Sequence, residues 1–97
     1  MNKSDIKEAI LINGEKCNTK ESLFAEFSKK LDFPDYFGNN WDSFEEILSD
    51  WEANSKIILY NFEEILKEDL ENQAIFNDII QGYNAENENQ IYKIITI

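Results

Sequence analysis

Three continuous apolar runs divide the chain, and the segments between them carry hydrophobic residues at helical spacing. Ala9, Ile10, Leu11 and Ile12 form the first run and stop at Asn13-Gly14, the pattern of a buried strand ending in a turn. Lys56 to Tyr60, KIILY, reads as a second buried strand. Gln90 to Ile97, QIYKIITI, reads as a third, dominated by β-branched residues. After the first strand, Leu23, Phe24, Phe27 and Leu31 recur at helical spacing behind a cap at Asn18 or Thr19, with Lys29 and Lys30 near the negative end of the helix dipole. That helix is expected to end before Pro34. A second helix is expected from about Asn40 to Trp51, because Trp41, Phe44, Ile47, Leu48 and Trp51 share one side when successive residues turn by about 100 degrees.

Between the second and third strands, Phe62, Ile65, Leu66 and Leu70 fit one amphipathic helix. Ala74, Ile75, Ile79 and Ile80 fit a continuation of it or, the favoured reading, a second helix after a break near Glu71 to Gln73, and Asn84 to Asn89 reads as a polar turn. Strand, helices, strand, helices, strand is the order of right-handed crossovers. The expected fold is therefore α/β: a small three-stranded parallel sheet packed with about four helices, forming a single domain over residues 1–97. The pattern leaves open which strand is central and whether helices cover both faces. A 42% hydrophobic fraction with only three Gly and one Pro suits one compact core and leaves little room for a second.

Composition removes whole classes of chemistry. Nine basic residues stand against twenty acids, and all nine are Lys, since the chain has neither Arg nor His. A catalytic triad, an imidazole base, a His-ligated metal or an arginine clamp on phosphate cannot be built from it, and no cofactor is expected. At a net charge of -11 the chain repels nucleic acid and anionic lipid, so direct nucleic-acid or membrane binding is not expected and a cationic protein is the natural complement. The single Cys17 has no partner for an internal disulfide or a thiolate metal site, which suits a reducing compartment. The apolar runs are too short for a signal-peptide core or a bilayer span, so a cytoplasmic protein is expected.

The acidity is regional. Residues 1 to 31 net +1 and residues 32 to 97 net -12, and from Asp32 to Asn54 seven carboxylates occur without one Lys. On the expected second helix, Asp42, Glu46, Ser49 and Asp50 point away from the apolar stripe, with Glu45 at its margin. A surface helix needs a polar side in any case. Unpaired like charges four residues apart nevertheless cost a helix about 0.2–0.5 kcal/mol per pair, so a surface selected only for stability would mix Lys into this ridge. The preceding loop, Phe33-Pro34-Asp35-Tyr36-Phe37-Gly38-Asn39-Asn40, sets three aromatics and a proline around a glycine able to take positive φ. Phe33 and Phe37 are expected to tuck under the loop. Tyr36 either tucks with them or offers a rigid ring to a partner.

The stretch FPDYFGNNWDSFEEILSDW, Phe33 to Trp51, resembles the loop and recognition helix of the barstar family of intracellular ribonuclease inhibitors. Pro34, the acid at 35, Tyr36, the aromatic at 37, Gly38, Asn40, Asp42 and Trp51 fall in the family's register, and Ile12-Asn13-Gly14-Glu15 looks like the end of its first strand. With the order of elements, the resemblance covers residues 8 to 97. It implies a barstar-like fold and a loop and helix that plug a ribonuclease active site, with carboxylates standing in for RNA phosphates. By that resemblance Tyr36 looks like a stacking residue, Gly38 and Asn40 like loop contacts, and Asp42 like one of two central acids. Asp35 and Asn39 complete the expected loop surface. Glu46 falls where the second acid is Asp, keeping the charge and adding a methylene. Ser49 matches a Thr contact position, Trp51 a family Trp, and Glu45 replaces a Trp at the rim. A later family glutamate aligns near Gly82, so its role is not carried over. Cys17 does not match the family's helix cysteine.

The implied partner is a cationic ribonuclease or related nuclease toxin, met by a chain that is monomeric beforehand. The implied protein is an immunity protein and not an enzyme. Other readings of the acids fare worse. Asp42 and Glu46 could be spaced like a glycosidase pair, but a convex helix gives no cleft to raise one pKa. A calcium loop starting at Asp32 would place Pro34 at a ligand position and Phe37 at the central glycine. An acidic decoy for another nucleic-acid-binding protein, or immunity to a different toxin, would use the same ridge.

Overall fold

The computed structural model describes residues 9–50, 56–86 and 91–94, with the backbone alone at Ile94. Trp51, the expected turn beyond Glu86 and both ends of the expected third strand lie outside those residues. Strand β1 runs Ile10–Asn13, β2 Ile57–Tyr60 and β3 Ile91–Ile94. Helices α1, α2 and α3 span Lys20–Leu31, Trp41–Asp50 and Leu70–Glu86, and short 3-10 turns occupy Gly14–Lys16 and Phe62–Glu64. The sheet order is β1-β2-β3 with both pairings parallel, so β2 is central. The α/β architecture is as expected, with three α-helices among the described residues instead of about four.

The missing helix has a physical cause. The segment expected to run helically from Phe62 to Leu70 is interrupted by left-handed backbone at Asn61 and Leu66, φ 52° and 51°. Leu66 N–H donates to the Cys17 carbonyl at 2.9 Å, tying the segment to the end of β1 instead of to its own preceding turn. Asp69 then starts α3: its side chain accepts from Asn72 N–H at 3.2 Å and its carbonyl from Gln73 N–H at 2.9 Å. Leu70 is consequently 68% exposed, and the buried stripe of α3 is Phe76, Ile79, Ile80 and Tyr83, with Ile75 at the surface. Asn84 and Glu86, expected in a turn, belong to this helix.

Strand burial alternates. Ile12, Ile57, Leu59 and Ile91 are buried, whereas Leu11 and Tyr92, aligned across β2 through Ile58, are 49% and 40% exposed. The first run is therefore a strand buried on one face, not two, and the packed face meets the helices. Phe24 and Phe27 of α1, Phe44 of α2 and Phe76 of α3 are at most 1% exposed. Edge-on contacts join Phe27 to Phe44 at 5.1 Å and Phe27 to Phe76 at 5.8 Å. Burying such a ring contributes roughly 1.5–3 kcal/mol, with about 0.5–1.5 more from a well-oriented aromatic pair. This cluster fixes α2 against the rest of the core. At the end of β1, a Cβ on Gly14 would overlap the Asn61 carbonyl oxygen, so only glycine lets the two turns approach.

Candidate functional site

Helix α1 ends where Asp32 takes left-handed backbone, φ 56°, and its N–H returns to the Ser28 carbonyl. The chain then turns at Pro34, whose carbonyl accepts from Phe37 N–H at 3.0 Å. Phe33 is 7% exposed and Phe37 packs edge-on against Phe24 at 5.3 Å and Phe33 at 5.2 Å. With both neighbours anchored as expected, Tyr36 is turned outward and is 77% exposed. The positive φ of the bend falls on Asn39, at 54°, and no glycine in the described residues has one. Asn tolerates this region because its short polar side chain can bond locally, so Gly38 is not needed for the reason the sequence suggested.

Asn40 caps α2. Its Oδ1 accepts from Ser43 N–H at 2.8 Å, its carbonyl from Phe44 N–H at 2.9 Å, and its Nδ2 donates to the Gly38 carbonyl at 3.3 Å. Ser43 Oγ in turn accepts from Gly38 N–H at 3.1 Å. The loop is thus locked to the helix start by side chains, and the polar groups of Gly38 and Asn40 are engaged in that lock while both residues remain exposed. Phe44, Ile47 and Leu48 carry the buried face of α2. Asp42, Glu45, Glu46, Ser49 and Asp50 are all exposed, and Asp35 and Asn39 are exposed in the loop. None of these carboxylates takes part in an ion pair among the described residues.

Asp42 sits in the first turn of α2, where the helix dipole favours an acid. That accounts for Asp42 but not for Glu46 or Asp50. The last turn contains no base, and Asp50 ends the helix where the dipole disfavours negative charge. Glu45 and Ser49 share a shallow groove with Gly82, Tyr83 and Glu86 of α3, so the acidic surface reaches the neighbouring helix through Glu86. Sequence spacing gave no sign of Glu86, because that position was read as a turn. A Cβ on Gly82 would meet nothing within 4 Å, so this part of α3 is open.

A concavity of about 780 Å³ lies elsewhere, between the turns that follow β1 and β2 and the starts of α1 and α3. Two of its five acids are partnered: Glu64 meets Lys67 at 2.6 Å, and Asp69 accepts from Asn72, while Glu15, Glu21 and Glu68 take part in no ion pair among the described residues. The Glu64 carboxylate holds the Lys67 ammonium above its ordinary pKa, and the Asn72 hydrogen bonds hold the Asp69 carboxyl below its own. Beneath this rim Cys17 is fully buried, and burial, aided by Glu26, pushes its thiol up to about 12. It is a neutral core residue. No group of His, Cys, Asp and Glu among the described residues is arranged to hold a metal, and no helix among them is long and apolar enough to cross a membrane.

The chain is thus a parallel three-stranded α/β domain with a capped, solvent-facing acidic helix and an outward tyrosine. The family model described as Barstar (barnase inhibitor) matches residues 8–95. This chain belongs to the barstar family. A protein of Bacillus subtilis (strain 168) named "Putative ribonuclease inhibitor YrdF" is 38% identical over 55 residues. That match covers 56% of this chain and 60% of the relative's own length.

Proposed function

We propose that this chain inhibits a cationic ribonuclease, blocking its active site with the outer face of α2 and the loop from Asp35 to Asn40. The observation that carries the reading is the row of exposed carboxylates, without an ion pair among the described residues, on a helix whose last turn lacks any base. A ribonuclease must concentrate positive charge to hold a polyanion, and a rigid negative surface that meets those charges excludes RNA without reacting. Asp42 and Glu46 are the central acids. Tyr36 contributes ring area, and Asp35, Asn39, Glu45, Ser49 and Glu86 form the surround. Trp51 remains a proposed contact from the resemblance alone. Membership of a family of barnase inhibitors and the likeness to a relative named as a ribonuclease inhibitor support the same reading.

The inhibitor is not an enzyme in this mechanism, and its role is immunity against a toxin that shares its compartment. Barnase is the first probe. Titrating barnase with the purified chain should reduce RNA cleavage with one-to-one stoichiometry, and association should be faster at low ionic strength because the surface steers the cationic partner. Undiminished cleavage by barnase and by the ribonucleases recovered on the immobilised chain would end the proposal.

A further inference from the structure

Trp41 opens α2, immediately before Asp42, and its indole is half-buried against Phe24 at 4.9 Å and Phe44 at 5.6 Å. Its Nε1–H donates to Asn72 Oδ1 at 2.7 Å. Asn72 Nδ2 donates to Asp69 Oδ2 at 2.7 Å, and Asp69 Oδ1 accepts from Asn72 N–H at 3.2 Å. An indole N–H can only donate and a carboxylate can only accept, so the group that stands between them must accept from the one and donate to the other. The Asn72 amide is that group. Its orientation is dictated by its two partners, with the oxygen toward the indole and the nitrogen toward the carboxylate.

We propose that Asp69 and Asn72 are positioning residues that hold the first turn of α2, and with it Asp42, in place through the Trp41 indole. Phe44 and the Trp41 ring pack the first turn of α2 against Phe24 and Phe76, and Asp42 lies about 100 degrees around the helix from Trp41. A hydrogen bond is directional where apolar packing is not. One bond from α3 to the indole therefore fixes the azimuth of the acid beside it. The lowered pKa of Asp69, caused chiefly by its hydrogen bond from Asn72, fits a carboxylate held ionised as the fixed end of the chain. The inference deepens the inhibitor reading and rests on α2 being the contact surface.

The full chain tests it. Asn72→Leu removes the bridge, Trp41→Phe removes the donor while keeping an aromatic ring at the position, and Asp69→Asn/Asn72→Asp exchanges the two side chains so that the carboxylate at position 72 accepts from both the indole and the amide at position 69. Amide hydrogen exchange in the free protein should speed up about 3- to 10-fold at Phe44 to Glu46 in each single variant, the factor for one lost net hydrogen bond, and recover in the double variant. Exchange at Ile58 and Leu59 of β2 should not follow. The Trp41 indole N–H resonance should move in Asn72→Leu and return in the exchanged pair. Equal acceleration in α2 and β2, no acceleration, or no recovery would each overturn the proposal. Affinity for barnase separates the two readings. A loss of about 3- to 10-fold in Asn72→Leu beside a larger loss in Asp42→Ala supports both. A loss in Asp42→Ala alone overturns the relay, and no loss in either overturns the contact surface and the relay with it.

Discussion

Helices α1 and α2 are neighbours in sequence, comparable in length and packed on the same aromatic cluster, yet their charges are arranged in opposite ways. In α1, Thr19 and Ser22 form a reciprocal capping box, Glu21 lies in the first turn, and Lys29 and Lys30 lie in the last. Every one of those choices favours the helix that carries it. In α2 the cap is sound, but acids continue to the final residue and no base closes the helix. The α1 charges are explained by α1. Beyond Asp42 the α2 charges are unfavourable to α2, and the proposed cationic partner is what would answer them. Counting acids would not separate the two kinds of surface, because the rim around Glu64, Lys67 and Asp69 is also rich in them. What differs is that Glu64 and Asp69 on that rim are answered by Lys67 and Asn72, whereas Glu46 and Asp50 have no ion-pair partner among the described residues.

The most direct way to break this contrast is Asp42→Ala. It should weaken binding to the inhibited ribonuclease by about 2–5 kcal/mol, because a partner cation buried opposite Asp42 would be left unpaired. That range was itself calibrated partly on a barstar complex. The folded chain should lose only about 0.3–1 kcal/mol, the value of an acid at a helix N-terminus. Glu46→Ala should weaken binding in the same direction without that stability loss. Dissociation rates measured for both variants decide the matter: unchanged rates would mean that the partner sits on another face.

Tyr36→Ala sharpens the contrast at the loop. The ring is 77% exposed, so its removal should leave the melting temperature where it is while costing about 1–2 kcal/mol of binding, the effect of an aromatic contact in an interface. Calorimetric titration beside a thermal melt would separate those outcomes. A drop in melting temperature with intact affinity would return Tyr36 to the class of Phe33 and Phe37, which the fold uses for itself.

Much of this was legible in the sequence. The three strands, a cap at Asn18 or Thr19, the end of α1 before Pro34 and the buried face of α2 follow from period and turn chemistry, and the helical period set the α2 acids on its exposed side. Three of the failures share a cause: each depended on a contact between segments distant in the chain. Leu66 could have continued a helix, but its N–H is taken by Cys17, about fifty residues earlier. Leu11 belongs to an unbroken apolar run, and only the packing of helices on the opposite face leaves it exposed. The same limit hid the bond from Trp41 to Asn72, since neither residue carries a local sign of the other. Gly38 failed differently: Asn39 can also take left-handed backbone, and local sequence did not choose between them.

On the α1 side, the contrast predicts a pH response that leaves the binding acids alone. Cys17 ionises near 9 when unfolded and near 12 when folded, so the folded state holds its proton longer. Above about pH 9 the unfolded state binds fewer protons, and stability falls as pH rises, by about 1 kcal/mol near pH 10 from this group. Cys17→Ala should flatten that alkaline slope in denaturant titrations. The thiol should also resist alkylation in the native protein at neutral pH. Rapid alkylation without unfolding would contradict the burial of Cys17.

The smallest expected effect tests the comparison most sharply, because stability and binding should move in opposite directions. Asp50→Lys gives α2 the basic C-terminus that α1 already has. Since Asp50 is exposed and has no ion-pair partner among the described residues, nothing is broken in the free chain. Reversing the charge should gain about 0.3–1 kcal/mol from the helix dipole, and a further few tenths from an attractive spacing to Glu46 four residues earlier. The same change places a cation beside a surface meant for a cationic partner, so association should slow, and slow most at low ionic strength. A chain that becomes more stable and captures its ribonuclease less quickly would show that the acid at the end of α2 is kept against the helix's own preference. If stability rises and capture is untouched, Asp50 is outside the contact surface and the negative field that steers the partner ends at Glu46.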